Sequence, residues 1–191
     1  MVSSVNNNEI KENEIGGDLN IGSTIVNLPK FNIDVSASAL KELIAAHEKL
    51  KEDSPEYKFF LGQLQDKIAV NKNRRIIGLK NKLKVASREH HYDGALISSQ
   101  KAAKMISKLQ HVKSYQIIFN HVLSLILTRF KSHILPLLKN QCDEIVIASA
   151  INSTIFEPLS QEVSLAGGFM STELVEGMLY FLTEKCHVEW V

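Results

Sequence analysis

The chain has 191 residues, 45% of them apolar and 23% charged, with a formal net charge of +1. That length carries one domain with a real core, or a modest domain plus an extension, and the balance is that of an ordinary globular protein. The most apolar run, Ile117 to Leu127, is too short for a bilayer and is broken by Asn120, His121 and Ser124, so no membrane partner is expected. Residues 1–14 lack the apolar stretch of a secretory signal, and Cys142 and Cys186 lie far apart in no ligand spacing. The reading is a cytoplasmic protein with reduced thiols.

In chain order, Ile15, Leu19, Ile21 and Ile25 alternate with polar residues, the period of a strand. Gly16-Gly17 and Gly22 supply turn chemistry, and Pro29 closes the segment. An isolated hairpin is marginal in water, so these strands are expected to pair with the domain edge or with residues 15–26 of another copy. From Ser36 the period becomes helical. Leu40, Leu43, Ile44, His47 and Leu50 share one face up to about Asp53. Ser54-Pro55-Glu56 restarts a helix, with Ser as cap and Pro at the first helical position. Its buried side carries Tyr57, Phe60, Leu61, Leu64 and Ile68, extending toward Ile76 and Leu79. His91-Tyr92-Asp93-Gly94 breaks the chain before a shorter helix from Ala95 to Leu109.

Between Val112 and Leu138, Tyr115, Ile118, Phe119, Val122, Ile126, Phe130, Ile134 and Leu137 form one stripe, widened by Ile117, Leu123, Leu125 and Leu127. A helix apolar over so much of its circumference is central in a core. Pro136 should bend or end it. Another helix is expected from Asp143 to Pro158 and a loop at Gly167-Gly168. Ser171 or Thr172 then caps a last helix through Thr183, with Glu173 in its first turn. Chain ends are usually polar and frayed. The Cys186–Trp190 segment holds the only tryptophan and is expected to dock as a short strand.

The fold class expected is therefore mainly α, a helical bundle-like domain with short β-strands at the N-terminal segment and the C-terminal tail. Three regions are expected: a Gly/Asn-rich strand segment (1–30), a basic helical region (36–110) and a C-terminal helical domain (111–191).

Charge is unevenly placed. Residues 67–113 hold twelve Lys/Arg and only the acids Glu89 and Asp93. Lys72, Arg74, Arg75, Lys80, Lys82, Lys84 and Arg88 fall in a stretch without acids. Such a run can neutralise phosphates. A solvated face or a dock for an acidic neighbour is the alternative, and no aromatic between Asn71 and His91 is available to stack on bases.

No catalytic, metal-binding or cofactor-binding set is recognised. Gly16-Gly17 opens no helix, and no His-Glu-x-x-His or Cys-x-x-Cys occurs. His90 and His91, as helix neighbours, would point about a hundred degrees apart and share no metal face. His121 and His133 read as core or interface histidines. Cys186 and His187, as strand neighbours, would face opposite ways and could not form a nucleophile–base pair.

The succession Ile117-Ile118-Phe119, Leu125-Ile126, Arg129-Phe130, Ile134-Leu135-Pro136-Leu137-Leu138, Ile151 and Ile155-Phe156-Glu157-Pro158-Leu159 spans Tyr115 to Trp190 with its closing run. That run is Gly177-Met178-Leu179-Tyr180-Phe181-Leu182-Thr183, then Cys186-His187-Val188-Glu189-Trp190. Together they resemble the C-terminal domains of bacterial ABC-three-component conflict systems, to which the anti-phage and anti-plasmid Lamassu-type systems are related. The resemblance implies a non-enzymatic coupling domain without cofactor, whose partners are an SMC/Rad50-like ABC ATPase and an effector or middle component. Family effectors carry a toxic domain ahead of this module, whereas residues 1–110 here offer a strand segment and basic helices. Phe130, Pro136, Tyr180, Phe181, Cys186, His187 and Trp190 are the expected protein-interface residues, with Tyr180 and Trp190 as anchors. The alternatives are a nucleic-acid-binding adaptor using residues 72–88 and a minimal enzyme with a Cys-His site.

Overall fold

The computed structural model describes residues 19–21, 24–26, 33, 35, 37–76 and 78–191. The chain divides into two units, Met1–Lys30 and Phe31–Val191. In the first, Leu19–Ile21 (β1) pairs antiparallel with Thr24–Val26 (β2), Leu19 opposite Val26 and Ile21 opposite Thr24. The glycine turns at 16–17 and 22, the stop at Pro29 and half of the 15–26 segment lie outside the described residues.

The second unit is helical: α1 (Ala37–Glu48), α2 (Pro55–Ile68), α3 (Leu79–Val85), α4 (Tyr92–Leu109), α5 (Lys113–Arg129), α6 (Leu135–Lys139), α7 (Glu144–Ile151), α8 (Glu157–Leu165) and α9 (Thr172–Glu184). Starts follow local chemistry. The Tyr57 N–H donates to Ser54 Oγ at 3.2 Å and Pro55 follows the cap, while the Leu174 N–H donates to Ser171 Oγ at 3.3 Å. Helix α5 buries Ile117, Ile118, Phe119, Val122, Leu123 and Ile126 and is the core element, with α1 and α2 laid against it.

Helices α4 and α9 pack on each other more extensively than any other pair. The seam is lined by small residues. A methyl group on Gly177 would come within 2.4 Å of the Ser98 carbonyl oxygen and 3.1 Å of Ala102 Cβ. Only glycine at 177 permits this approach. Ser99, fully buried, donates from Oγ to Glu184 Oε2 at 2.8 Å and ties the two helices near the α9 end.

Two prolines lie inside continuous helices rather than ending them. A π-helical turn at Phe130–Ile134 joins α5 to α6, and another at Asn152–Phe156 joins α7 to α8. Pro136 and Pro158 follow these wider turns. Pro158 has no N–H for the carbonyl four residues back, Thr154. The Arg129 guanidinium donates to that carbonyl at 3.1 Å instead. Burial lowers the Arg129 pKa, with the Glu162 carboxylate acting the other way. The helix expected to stop at Pro158 therefore runs on to Leu165.

Other expectations need correction. Helix α2 ends at Ile68, and the helix holding Leu79 is a separate one, α3. The tail from Cys186 to Trp190 forms no strand; the left-handed turn at Cys186 and its backbone and side-chain hydrogen bonds hold it instead. Apart from β1 and β2, the described residues contain no strand. Residues on both sides of position 110 belong to the second unit, in which α4 packs on α9. Among the described residues, no helix is long and apolar enough to cross a membrane.

Candidate functional site

Helix α9 ends in a reversal. Cys186 has φ +66°, in the left-handed region where glycine is usual. The Cys186 N–H donates to the Thr183 carbonyl at 3.1 Å and the His187 N–H to the Leu182 carbonyl at 2.8 Å, the two bonds of a Schellman end. A non-glycine residue there costs on the order of 1–2 kcal/mol. The cost is offset by what the turn makes possible: Cys186, Val188 and Trp190, each at most 3% exposed, fold back into the core.

Trp190 is the centre of this packing. Its ring meets Phe130 edge-on at 5.1 Å and stacks on Tyr180 at 6.1 Å. Its Nε1–H donates to Thr183 Oγ1 at 3.1 Å, and that hydroxyl donates to the Leu179 carbonyl at 2.9 Å. The Arg88 guanidinium lies 5.7 Å from the ring centroid. Burial, and then Glu176, push the Tyr180 phenol up to about 12.

Lys82 secures the reversal from the other side. It is 2% exposed, and its ammonium donates to the Thr183 carbonyl at 3.0 Å and the Val188 carbonyl at 2.9 Å. A cation at a helix C-terminus also meets the negative end of the dipole. Burial lowers the Lys82 pKa, while Cys186 and Glu189 act to raise it. Residues before α3 complete the clasp. The Asn71 N–H donates to the Lys185 carbonyl at 2.8 Å, His187 Nε2 to the Ala69 carbonyl at 2.8 Å, and Arg74 pairs with Glu189 at 3.2 Å.

The seven basic residues of 72–88 thus do not share one surface. Lys82 and Arg88 are buried and Arg74 holds the tail. Lys72, Arg75, Lys80 and Lys84 stay exposed, with Lys80 shared between Glu89 at 4.0 Å and the Tyr92 ring at 5.5 Å. Of the expected interface residues, Phe130, Phe181, Cys186 and Trp190 are buried in this chain's own core. Tyr180 and His187 are partly buried and Pro136 is exposed. Cys186 and His187 turn to different partners, the Cys186 thiol to the Glu184 carbonyl at 3.6 Å and the imidazole to Ala69.

Beside the tail lies a cleft of about 670 Å³, walled by Val85, Arg88, Leu138, Glu144, Trp190 and Val191 among others. Ser87 and Gln141, at φ +59° and +52°, also line it. Strained backbone of this kind is held only where surroundings fix it. At its mouth, sequence reasoning missed a cluster. His90 and His91 belong to a 3₁₀ turn, Glu89–His91, not to an α-helix. Both imidazoles reach Glu144 Oε1, His90 Nε2 at 3.0 Å. Expected to point apart as helix neighbours, the two imidazoles instead converge on one carboxylate oxygen. Hydrogen bonds from His91 foremost, with His90 and Arg88 adding to them, hold the Glu144 carboxyl below its usual range against a smaller opposing effect of burial.

Lys82 was also missed as a structural residue, although the signal was present: Leu79, Lys82 and Leu83 share one helical face, two of them plainly core.

A family model for C-terminal domain 9 of the ABC-three-component (ABC-3C) systems matches residues 78–190. No curated protein and no solved structure matches the chain. The matched region starts at the residue preceding α3 and closes on Trp190, so it contains both Lys82 and the tail that Lys82 holds. The chain belongs to the family of ABC-three-component C-terminal domain 9 proteins, components of these defence systems.

Proposed function

We propose that this chain is a non-enzymatic assembly subunit of an ABC-three-component system of the Lamassu-like kind, coupling an SMC/Rad50-like ATPase to an effector or middle component. The observation that carries this reading is the cleft beside the tail. Its floor is the fixed Trp190, its walls expose Val85 (53%) and Val191 (52%), Lys139 supplies an exposed cation, and the buried Arg88 is paired with Glu144 at 3.8 Å. A slot that sets exposed valines beside Ser87, Lys139, Gln141 and Glu144 suits a segment of mixed apolar and polar side chains on a companion subunit. The separate engagement of Cys186 and His187 supports a binding rather than a catalytic role.

The test is co-purification with the ATPase and companion components encoded alongside. Val85→Glu, which leaves the core untouched, should reduce recovery of the partners without lowering the melting temperature. Full recovery would exclude the cleft as the contact.

DNA contact is the second reading, resting on the exposed Lys72, Arg75, Lys80 and Lys84. Replacing all four with Gln should then weaken DNA binding and flatten its salt dependence while leaving assembly intact. DNA binding unchanged by the replacement would remove this reading.

A further inference from the structure

We infer that His90, His91 and Glu144 form a binding site for a borderline divalent metal ion of the Zn²⁺ class. The site is separate from the buried tail and opens to solvent at the mouth of the cleft. One donor atom from each residue lies within 4.8 Å of the other two, both Nε2 atoms reach Glu144 Oε1, and the imidazole centroids are 4.1 Å apart. Ligands at about 2.0–2.2 Å from a tetrahedral ion stand roughly 3.3 Å from each other, so little movement separates this arrangement from a coordinating one. Two imidazoles and one carboxylate suit Zn²⁺ or Co²⁺ and not Ca²⁺ or Mg²⁺, which take oxygen ligands.

The ligands also come from supported elements. His90 and His91 sit in the turn that leads into α4, and Glu144 is the first residue of α7. His90 and Glu144 are exposed and His91 partly buried, which leaves a fourth position for water. The charges around the cluster oppose one another. Arg88 Nη1 stands 3.8 Å from Glu144 Oε1 and works against a cation, while the Glu176 carboxyl on α9 interacts with His91 and works for one. An ion would take the two imidazoles in their neutral form and the ionised carboxylate, since metal ligands must be deprotonated. An ion here would tie the turn before α4 to the start of α7 at Glu144, which also lines the cleft.

The full chain, stripped with chelator and titrated with Co²⁺, tests this through visible d–d absorption. The expected result is a saturable band at one equivalent, lost on adding Zn²⁺. Glu144→Gln and His91→Ala should each weaken binding on the order of tenfold or more, as even outer-shell changes do at metal sites. His90→Gln alters an exposed side chain only and carries the same expectation without risk to the fold. His111→Ala, at the far end of α4, should leave the titration unchanged. No saturable band, or equal binding by Glu144→Gln, His90→Gln and the unaltered chain, would overturn the site.

Discussion

The two ends of the helical unit are joined by different means. Around α9 the contacts are close and mostly apolar: the Gly177 seam, the buried Trp190, and the Lys82 ammonium closing two carbonyls. Where α1 and α2 meet α5, Leu40 and Leu64 are buried in the core and a chain of polar side chains is added to these apolar contacts. His47 Nε2 donates to Gln116 Oε1 at 3.0 Å, and Gln116 Nε2 donates to Tyr57 Oη at 3.1 Å and to the Gln110 carbonyl at 2.9 Å. Lys67 reaches Asn120 Oδ1 at 2.7 Å, and Asn120 Nδ2 donates to Gln63 Oε1 at 3.1 Å. His47 Nδ1 is buried with no partner among the described residues.

The family match begins at Gly78, after both α1 and α2. The matched part therefore carries the tail, the Lys82 that holds it and the cleft, whereas Ala69, Asn71 and Arg74 of the clasp precede it, and the first two helices add directional bonds to their apolar contacts. Hydrogen bonds of that kind fix position while adding modest net stability. The comparison implies that the tail region dominates stability and the α1–α2 region sets geometry.

The sharpest way to break that comparison is Trp190→Ala, expected to cost about 3–5 kcal/mol as a buried aromatic leaves a cavity. A much smaller loss in denaturant unfolding would mean that the tail contributes little. Gly177→Ala comes next. Alanine is the better helix former by about 1 kcal/mol, yet here its methyl must push α4 and α9 apart at a cost of about 1–3 kcal/mol, for a net loss of up to about 2 kcal/mol. Unchanged stability would show that the seam is looser than its geometry. Gln116→Leu should cost a similar amount, about 1–2 kcal/mol, by leaving its partners His47 and Tyr57 unpaired. A loss matching that of Trp190→Ala would invert the ranking of the two regions.

The smallest effect concerns pH. The Tyr180 phenol ionises at about 12 in the folded chain against an ordinary value of 10.0. Its contribution to stability is full below the lower value and declines as pH rises toward the higher one. Tyr180→Phe should therefore lose less stability across that interval, and should remove absorbance change at 295 nm near pH 12. An unchanged alkaline titration would show Tyr180 to be solvated.

Much of this was legible before any coordinates. Ser54-Pro55 and Ser171 announce helix starts, the Val112–Leu138 stripe announces a central helix, and a tryptophan-bearing tail announces docking. The π turns were not legible, because one extra residue per turn barely disturbs an apolar stripe of that width. Pro158 consequently read as a stop. The Glu144 cluster was hidden because the carboxylate on which His90 and His91 converge lies 54 and 53 residues further along the chain. The tail was misread as a strand because alternating Cys, Val and Trp also suit an extended segment lying on helices. The basic run looked like one surface because sequence reports charge and not which cations a reversed helix end will enclose.

Amide hydrogen exchange at His187 and Val188 tests the enclosed tail most directly. Both N–H groups bond to the Leu182 carbonyl, at 2.8 and 3.2 Å. They should exchange as slowly as the core amides of α9, through global unfolding. Exchange at the rate of an unstructured peptide while α9 stays protected would contradict it.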